Sequence, residues 1–371
     1  MPAPLTVMQL LPALESGGVE RSTIEIAQAL SRAGHRALVV SAGGRLVPEL
    51  EAAGGTHFTL AIGRKSPFVL RQVFALRRLI ERQRPDVVHA RSRLPAWIAQ
   101  FALRGLRGPR PAVVTTVHGL NSVSAYSAIL TRGERVVCVS ETVLRHVLAN
   151  YPETDPQALR VIERGIDPDA FPRGHRAGDG WRAALFAQHP ELAGRPWFVL
   201  PGRGTRLKGH AEAIALISDL RRRGLDAGLL LQGAVEPGRE RYLAELRAQC
   251  ARLGVADAVA FAPPRRDIRE VMAESFAVLQ LSSKPEAFGR TVTEALSLGV
   301  PVLGWDHGGV GELLARGFAQ GAVARGDARA LCELAAAWLV RRPQPAPFAA
   351  FSLAAMQDAT LAVYAEVADG R

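Results

Sequence analysis

The segment 285–295 reads PEAFGRTVTEA and lies where one kind of regular element gives way to another. The apolar run Phe276 to Leu281 before it predicts a buried strand, and the run Thr291 to Leu298 predicts a helix. Glu286 is therefore expected on the loop at the carboxyl end of the strand, and Glu294 about one turn into the helix. In a parallel α/β sheet, this edge is where ligands bind.

The start of this helix also predicts an anion site. The backbone N–H groups of the residues from Gly289 to Val292 have no partner inside the helix, and such helix ends bind phosphate. Two carboxylates that accept hydrogen bonds from hydroxyl groups flank this site. Two acids eight positions apart are also typical of a solvated helix start, but the preceding strand and the glycine favour a sugar-nucleotide site.

Alternating strand and helix patterns predict two doubly wound α/β domains. A chain of 371 residues exceeds what one hydrophobic core usually serves. The stretch 152–194 interrupts the alternation because it is rich in Pro, Gly, Asp and Arg. We expect an N-terminal acceptor-binding domain over 1–170, a linker over 171–195, a nucleotide-sugar domain over 196–345 and a last helix within 346–371. The predicted strands are Leu5 to Leu11, Ala37 to Ser41, Asp86 to His89, Ala112 to His118, Arg135 to Val139, Trp197 to Pro201, Leu229 to Gln232, Val259 to Ala262, Phe276 to Leu281 and Val300 to Gly304.

A glycine-rich basic loop follows the first strand of the second predicted domain, with the sequence PGRGTRLKG over 201–209. Gly202 and Gly204 allow tight turns and a close approach of the backbone to a ligand. Arg203 offers a planar fork for phosphate oxygens, and Lys208 offers a compact charge. We expect both cations to neutralise a diphosphate, together with the N–H groups near Arg290 and Thr291. An ordinary basic loop is the alternative.

Two features of the N-terminal half are further site candidates. Gly17 and Gly18 follow the first predicted strand, where they would let an acceptor or the donor phosphates approach the backbone. His118 ends the predicted strand Ala112 to His118 and is followed by Gly119. A histidine at a strand end is otherwise most often a structural residue.

These segments together resemble the large retaining glycosyltransferase family called group 1 or family four, and in particular its bacterial lipopolysaccharide-core members. The similarity rests on Glu286-x7-Glu294 with Phe288-Gly289 inside it and on the G-R-x4-K-G pattern at 202–209. It implies the GT-B architecture, in which two Rossmann-like domains face a cleft and the last helix returns to the N-terminal domain. It covers nearly the whole chain in order.

The resemblance also implies roles for residues. Glu294 would bind the ribose hydroxyls, Glu286 the hydroxyls of the transferred sugar, and His118 would lie beside the donor sugar. It implies retention of anomeric configuration by front-face attack, with the leaving phosphate accepting the acceptor proton. Because fixed cations and a helix end can stabilise that phosphate, we expect no essential metal ion and no cofactor. The Asp167-Pro168-Asp169 segment resembles an interdomain turn of the family rather than a metal site.

The net charge of +11 predicts attraction to nucleic acid, to an anionic membrane or to an acidic substrate. No nucleic-acid-binding motif is evident. The densest basic segment, Arg64 to Arg84, places apolar residues at helical spacing with arginines between them. This pattern is typical of a helix at an anionic membrane surface, or of an ordinary sheet-covering helix with a basic outer face. We expect contact with the inner face of the cytoplasmic membrane, no membrane span and a cytoplasmic location.

The sequence thus favours a retaining, metal-independent glycosyltransferase that moves a sugar from a nucleotide-diphosphate donor to a glycan or lipid-linked acceptor in cell-surface polysaccharide synthesis. UDP-sugar is the expected donor, with GDP- or ADP-sugar as alternatives. A soluble transferase that makes a small glycoside and a sugar-nucleotide epimerase of the same architecture are the alternative functions. A nicotinamide dehydrogenase is disfavoured, because the glycines at 17–18 do not form a dinucleotide fingerprint.

Overall fold

The computed structural model describes residues 3–15, 17–64, 69–348 and 350–370. The chain forms two compact units, of which one comprises Met1–Gly165 with Leu353–Arg371 and the other Ile166–Ser352. The strands in chain order are β1 Thr6–Leu10, β2 Arg36–Ser41, β3 Thr56–Thr59, β4 Val87–Ala90, β5 Ala112–Val117, β6 Arg135–Cys138, β7 Leu159–Val161, β8 Trp197–Pro201, β9 Gly228–Gln232, β10 Val259–Ala262, β11 Ala277–Gln280, β12 Val302–Trp305 and β13 Ala322–Val323.

Helices connect most of these strands. In chain order they are α1 Gly18–Arg32, α2 Val47–Ala52, α3 Val69–Gln83, α4 Arg93–Arg104, α5 Glu141–Asn150, α6 Asp179–Gln188, α7 His210–Arg222, α8 Glu240–Arg252, α9 Ile268–Glu274, α10 Arg290–Leu298, α11 Gly308–Gly317, α12 Ala328–Val340 and α13 Leu353–Asp369. None of the helices in the described ranges has the length and apolar character that crossing a bilayer requires.

The first unit contains a seven-stranded parallel sheet of order β3-β2-β1-β4-β5-β6-β7. Its inner strands, such as β1 and β4, are buried on both faces, which explains their continuous apolar runs. In β1, for example, Val7 packs into the core layer that contains α1 and α13, whereas Met8 packs into the layer that contains α3 and α4. The last helix α13 belongs to this unit, where the Tyr364 side chain is fully buried. The predicted return of the last helix is thus confirmed.

The second unit contains a six-stranded parallel sheet of order β10-β9-β8-β11-β12-β13. One extensive apolar cluster covers this sheet and includes Phe198, Leu230, Val278 and Leu303, none of which is exposed by more than 1%. The strand order reverses direction at β8 and β11, which are neighbours. Such a switch point is where open α/β sheets bind ligands.

Candidate active site

The centre of the candidate site is an ion pair at the carboxyl edge of the second sheet. The Nζ atom of Lys208 lies 2.6 Å from Oε1 of Glu286, and the two side chains are only 27% and 23% exposed. Lys208 follows β8 and Glu286 follows β11, so the pair stands directly at the switch point of the strand order. A half-buried ion pair at a ligand-binding edge can exchange its internal contact for contacts to a bound anion and bound hydroxyls.

Tight turns hold the basic loop against the sheet. Residues Arg206–Lys208 form a single 3-10 turn, and Gly209 then begins α7 with a φ of 80°. A Cβ atom at Gly209 would lie 2.1 Å from the carbonyl oxygen of Leu281, so only glycine fits this left-handed turn. Gly202 lies close to Lys208, since its Cβ would be 3.0 Å from the Cγ of that lysine. The glycines thereby fix where the ammonium group stands.

Neutral side chains complete the surroundings of Glu286. The Ser282 hydroxyl donates to Oε1 of Glu286, and it lies 3.0 Å from Oε1 of Gln280, whose amide in turn donates to the Thr291 hydroxyl at 3.1 Å. The Nε2–H of His307 donates to the carbonyl of Ser282 at 2.9 Å. Burial lowers the pKa of His307, so its imidazole is neutral at neutral pH. The charged groups around it are those of the ion pairs. Ser282, Gln280 and His307 were not predicted from the sequence as site residues.

The helix α10 begins beside this pair. Its N-cap is Gly289, with a φ of 115°, and no side chain caps the first turn. The Nε atom of Arg290 lies 3.8 Å from Oε1 of Glu294, and these side chains are 18% and 13% exposed. The predicted strand, loop and helix around Glu286 and Glu294 are thus present, with Glu294 one turn into α10.

Arg203 and Phe288 differ sharply in exposure. The Arg203 side chain is exposed, and it makes no hydrogen bond or ion pair to any described residue. Phe288 is 6% exposed and packs edge-to-face on Phe351, with ring centroids 5.7 Å apart. Phe288 therefore anchors the loop 281–289 in the core of the second unit, whereas the Arg203 side chain is accessible to a ligand.

The N-terminal candidates lie in the first unit. Gly17 has a φ of 137° and is the N-cap of α1, which starts at Gly18. Ser16, between Glu15 and Gly17, lies outside the described residues. His118 follows β5, and its Nδ1 accepts a hydrogen bond from Nη2 of Arg164 at 2.6 Å. Burial, together with the nearby charge of Arg164 and Arg91, holds the pKa of His118 well below its usual range.

The neutral state of His118 fixes its tautomer. Because Nδ1 accepts from a guanidinium, the ring proton must be on Nε2. This Nε2–H is buried and has no partner among the described residues. His89, the other strand-end histidine, is instead fully engaged, with Nδ1 2.6 Å from the Tyr364 hydroxyl and Nε2 2.6 Å from the Thr116 hydroxyl. His118 therefore has a free donor to offer, and His89 has none.

Potential metal ligands are dispersed. Within the described ranges, no group of three His, Cys, Asp or Glu side chains is arranged to hold a metal ion. Asp167 instead accepts a hydrogen bond from the backbone N–H of Asp169 at 3.0 Å, which makes a local turn.

Comparison with known proteins identifies the family. A model described as Glycosyltransferase Family 4 matches residues 16–170, and a model described as Glycosyl transferases group 1 matches residues 182–349. Together the two matches cover most of the chain. The chain belongs to the group 1 and family 4 glycosyltransferases.

Individual relatives of this glycosyltransferase support the assignment. The D-inositol 3-phosphate glycosyltransferase of Streptomyces bingchenggensis is 29% identical over 239 residues, which are 62% of this chain and 48% of the relative. The chain spans about half to three fifths of the length of the curated relatives it matches.

Solved structures agree in fold over nearly the full length. A glycosyltransferase from Rickettsia africae has a TM-score of 0.81 at 27% identity, with 98% of each chain covered. HepE of Anabaena, solved with UDP and glucose, has a TM-score of 0.78 at 20% identity, with 97% of this chain and 99% of that chain covered. The predicted GT-B fold class is thus confirmed.

Proposed function

We propose that this glycosyltransferase moves a sugar from a nucleotide-diphosphate sugar to a glycan or lipid-linked acceptor, with retention of anomeric configuration and without a metal ion. The observation that carries the proposal is the Lys208–Glu286 pair, 2.6 Å apart, beside the uncapped start of α10. A cation, a carboxylate and a row of backbone N–H groups at one sheet edge match a phosphate joined to a hydroxyl-rich sugar.

In this proposal the second unit binds the donor. Arg203, Lys208 and the N–H groups at the start of α10 hold the diphosphate, as charge-assisted hydrogen bonds to phosphate are the strong ones. Glu294 accepts from the ribose hydroxyls, and Glu286 accepts from hydroxyls of the transferred sugar. When the donor binds, the Lys208 ammonium group moves from Glu286 to the phosphate. In the free protein the two side chains instead neutralise each other as an ion pair.

The same groups stabilise the departing nucleotide. Negative charge develops on the phosphate as the sugar–oxygen bond breaks, and preorganised cations stabilise that charge in the transition state. The leaving phosphate accepts the proton of the acceptor hydroxyl on the same face of the sugar. His118 of the first unit is a hydrogen-bond donor through Nε2–H rather than a base, because Arg164 occupies its Nδ1.

UDP-sugar is the first donor to test. HepE of Anabaena was solved with UDP and glucose, and it shares the fold. GDP- and ADP-sugars are the alternatives.

The proposed acceptor belongs to cell-surface polysaccharide synthesis, such as lipopolysaccharide, at the inner face of the cytoplasmic membrane. Support comes from the net charge of +11 and from helix α3. Helix α3 lies in the basic segment Arg64 to Arg84, of which residues 65–68 lie outside the described residues. Helix α3 buries Val73 and Leu76 against the sheet but leaves Phe74 59% exposed among exposed arginines. Arg77 lies over the Phe74 ring and donates to backbone carbonyls of α4, so the outer surface joins both helices.

The membrane part has its own test. Retention on phosphatidylglycerol vesicles at low salt should fall for Phe74→Glu, because that change removes an apolar contact and adds a repelled charge. Leu253→Glu is the matched control, since Leu253 is 40% exposed in the second unit. If the wild type fails to bind these vesicles, or if both variants bind as it does, the membrane proposal is wrong.

The catalytic part is tested without knowledge of the acceptor. Slow hydrolysis of UDP-glucose, with water in place of the acceptor, should release UDP in the presence of EDTA. Glu286→Gln should slow this release at least about tenfold, since a hydrogen-bonded charged group contributes about 1.5–3 kcal/mol. Glu333→Gln, at an exposed carboxylate of the same unit, is the control. An epimerase would instead isomerise the nucleotide-sugar without releasing UDP, and a noncatalytic module would consume none of it.

A further inference from the structure

A separate pocket of about 390 Å³ lies entirely within the first unit. It opens where β1, β4 and β5 end, because the residues that follow each of these strands contribute to its wall. Its polar lining includes Arg91, Arg93, His118, Asn121 and Tyr126. None of the described residues that line it is an aspartate or a glutamate. The wall therefore carries guanidinium groups without a carboxylate.

Arg91 is the unusual member of this wall. Its side chain is 2% exposed, and Nη1 donates to the Ser22 hydroxyl at 3.1 Å. The Nε–H of Arg91 has no partner among the described residues. The groups that favour the charged form of Arg91 are the Tyr364 hydroxyl, which is hydrogen-bonded to it, and Glu25, and neither is part of the pocket wall. A buried guanidinium with an unused donor is costly unless a ligand completes its contacts.

Other donors converge on the same space. The Nε2–H of His118 is buried and unused within the described ranges, and this residue lines the pocket. Arg93 lies over the Tyr126 ring, with the guanidinium carbon 5.5 Å from the ring centroid, and donates to the Ser127 hydroxyl at 3.2 Å. This stacking holds the Arg93 cation at the rim of the pocket.

The start of α4 adds backbone donors. Helix α4 has 12 residues, and its N-cap Ser92 is extended and makes no side-chain capping hydrogen bond. Ser92, Arg93 and Leu94 all line the pocket. The partial positive charge of a helix N-terminus and its open N–H groups favour an anion here.

We propose that this pocket binds a phosphate group carried by the acceptor substrate. Donors arrive from several directions, from Arg91, Arg93, His118 and α4, which suits the several oxygens of a tetrahedral phosphate. A planar carboxylate would be satisfied by one guanidinium fork alone. The proposal deepens the proposed function and rests on it, because it names the chemical class of the acceptor. The phosphate belongs either to a free sugar phosphate or to a lipid-linked sugar.

Inorganic phosphate is the first probe, titrated calorimetrically into the protein with UDP saturating the donor site. We expect Arg93→Gln to weaken phosphate binding about tenfold or more, since each hydrogen bond to a charged group contributes about 1.5–3 kcal/mol. Arg91→Lys keeps the charge but removes the Nε–H donor, and it should weaken binding in the same direction. Arg78→Gln, an exposed arginine on α3, should leave phosphate binding unchanged.

Arg93→Gln decides the test, because Arg93 is half-exposed and its loss leaves the core intact, whereas Arg91→Lys changes a buried site. Equal phosphate affinity in wild type and Arg93→Gln, or no phosphate binding with UDP present, would overturn the proposal. UDP binding is measured in the same titrations, so a failed donor site is seen separately from a failed phosphate pocket.

Two further arms separate the sources of the phosphate. Competition of glucose 6-phosphate, but not glucose, with inorganic phosphate supports a free sugar phosphate. Competition by phosphatidic acid vesicles, but not by phosphatidylcholine vesicles, supports a lipid-linked phosphate, provided that Arg93→Gln abolishes it. If neither probe competes, the acceptor phosphate proposal is wrong.

Discussion

Lys208 and Glu286 are 78 positions apart in the sequence, and their side chains meet at 2.6 Å. They meet because β8 and β11 are parallel neighbours, with Phe198 paired to Ala277 and Val199 paired to Val278. Neighbouring parallel strands end at the same edge of a sheet, and each strand delivers its following loop there. The ion pair thus follows from sheet topology, and it marks where we propose that the donor phosphate and sugar bind.

Removal of the Lys208 charge should impair UDP-glucose hydrolysis more than protein stability. In Lys208→Met, the leaving phosphate loses a preorganised cation, and we expect a fall in kcat of about 10²-fold. The rate of UDP release at saturating UDP-glucose measures this. Lys284→Met is the matched control, because Lys284 is exposed on the neighbouring loop that carries Glu286. Equal rates for the two variants would show that Lys208 does not act on the leaving group.

Arg203 should contribute to donor binding but not to folding. Its side chain is exposed and has no partner among the described residues, so Arg203→Gln should change the free energy of unfolding by less than about 0.5 kcal/mol. Calorimetry should show about tenfold weaker UDP binding, because a charge-assisted contact to phosphate is lost. Arg241→Gln, at a side chain that is 95% exposed, should bind UDP like the wild type. Unchanged UDP affinity in Arg203→Gln would exclude Arg203 from the site.

The backbone at Gly289 should be intolerant of a side chain. In Gly289→Ala, the backbone of the alanine must adopt a φ near 115°. Its Cβ would lie 3.0 Å from Cγ2 of Val310. Gly326 also has a positive φ, 82°, but a Cβ there meets no atom within 4 Å. Both alanine variants should lose about 1–2 kcal/mol of stability from the backbone conformation, and only Gly289→Ala should also lose UDP affinity. UDP affinity that is unchanged in Gly289→Ala would mean that the start of α10 is not the phosphate site.

Protein stability should fall as the pH falls below 6.5. Burial lowers the pKa of His210 to about 4, and the carbonyls of Thr205 and Gly202 oppose this only in part. As the pH falls, His210 therefore takes up a proton in the unfolded chain at a higher pH than in the folded protein. The stabilisation from neutral His210 is complete above pH 6.5 and is lost progressively as the pH falls to about 4. Between pH 7 and pH 5, His210 should account for about 2 kcal/mol.

The comparison of His210→Gln with the wild type checks this. Urea unfolding at pH 7 and pH 5 should show a smaller loss of free energy for the variant than for the wild type. His189→Gln is the control, since His189 is only partly buried and its pKa is lowered less. An equal loss for His210→Gln and the wild type would contradict the assignment.

Regular elements with strong patterns were predictable from the sequence. The strands Trp197–Pro201 and Val259–Ala262 have the predicted bounds. Helix α2 and strand β3 are among the elements that were not predicted. Helix α2 has only six residues, and β3 is a half-buried edge strand, so neither shows a clear apolar period.

The residue types of the candidate site could be predicted from the sequence, but the contacts between its side chains could not. Glu286 and Lys208 stood out by residue type and motif, and their roles remain proposals. That they contact each other depends on strand order, which single-sequence patterns do not specify. Ser282 and His307 gave no signal, because a serine after a strand and a histidine before a helix are common. The sequence provided only a weak indication of Arg91, which follows a buried strand and is itself buried in the structure.

Calorimetric titration of UDP in the presence of EDTA, into wild type and Glu294→Gln, tests the central claim most directly. Glu294 forms an i,i+4 pair with Arg290, and Glu333 forms one with Arg329, so Glu333→Gln is the matched control. We predict that UDP binds the wild type and Glu333→Gln alike and binds Glu294→Gln at least about tenfold more weakly. UDP binding that is equal in all three proteins, or no binding of UDP, GDP or ADP to the wild type, would contradict a donor site at the start of α10.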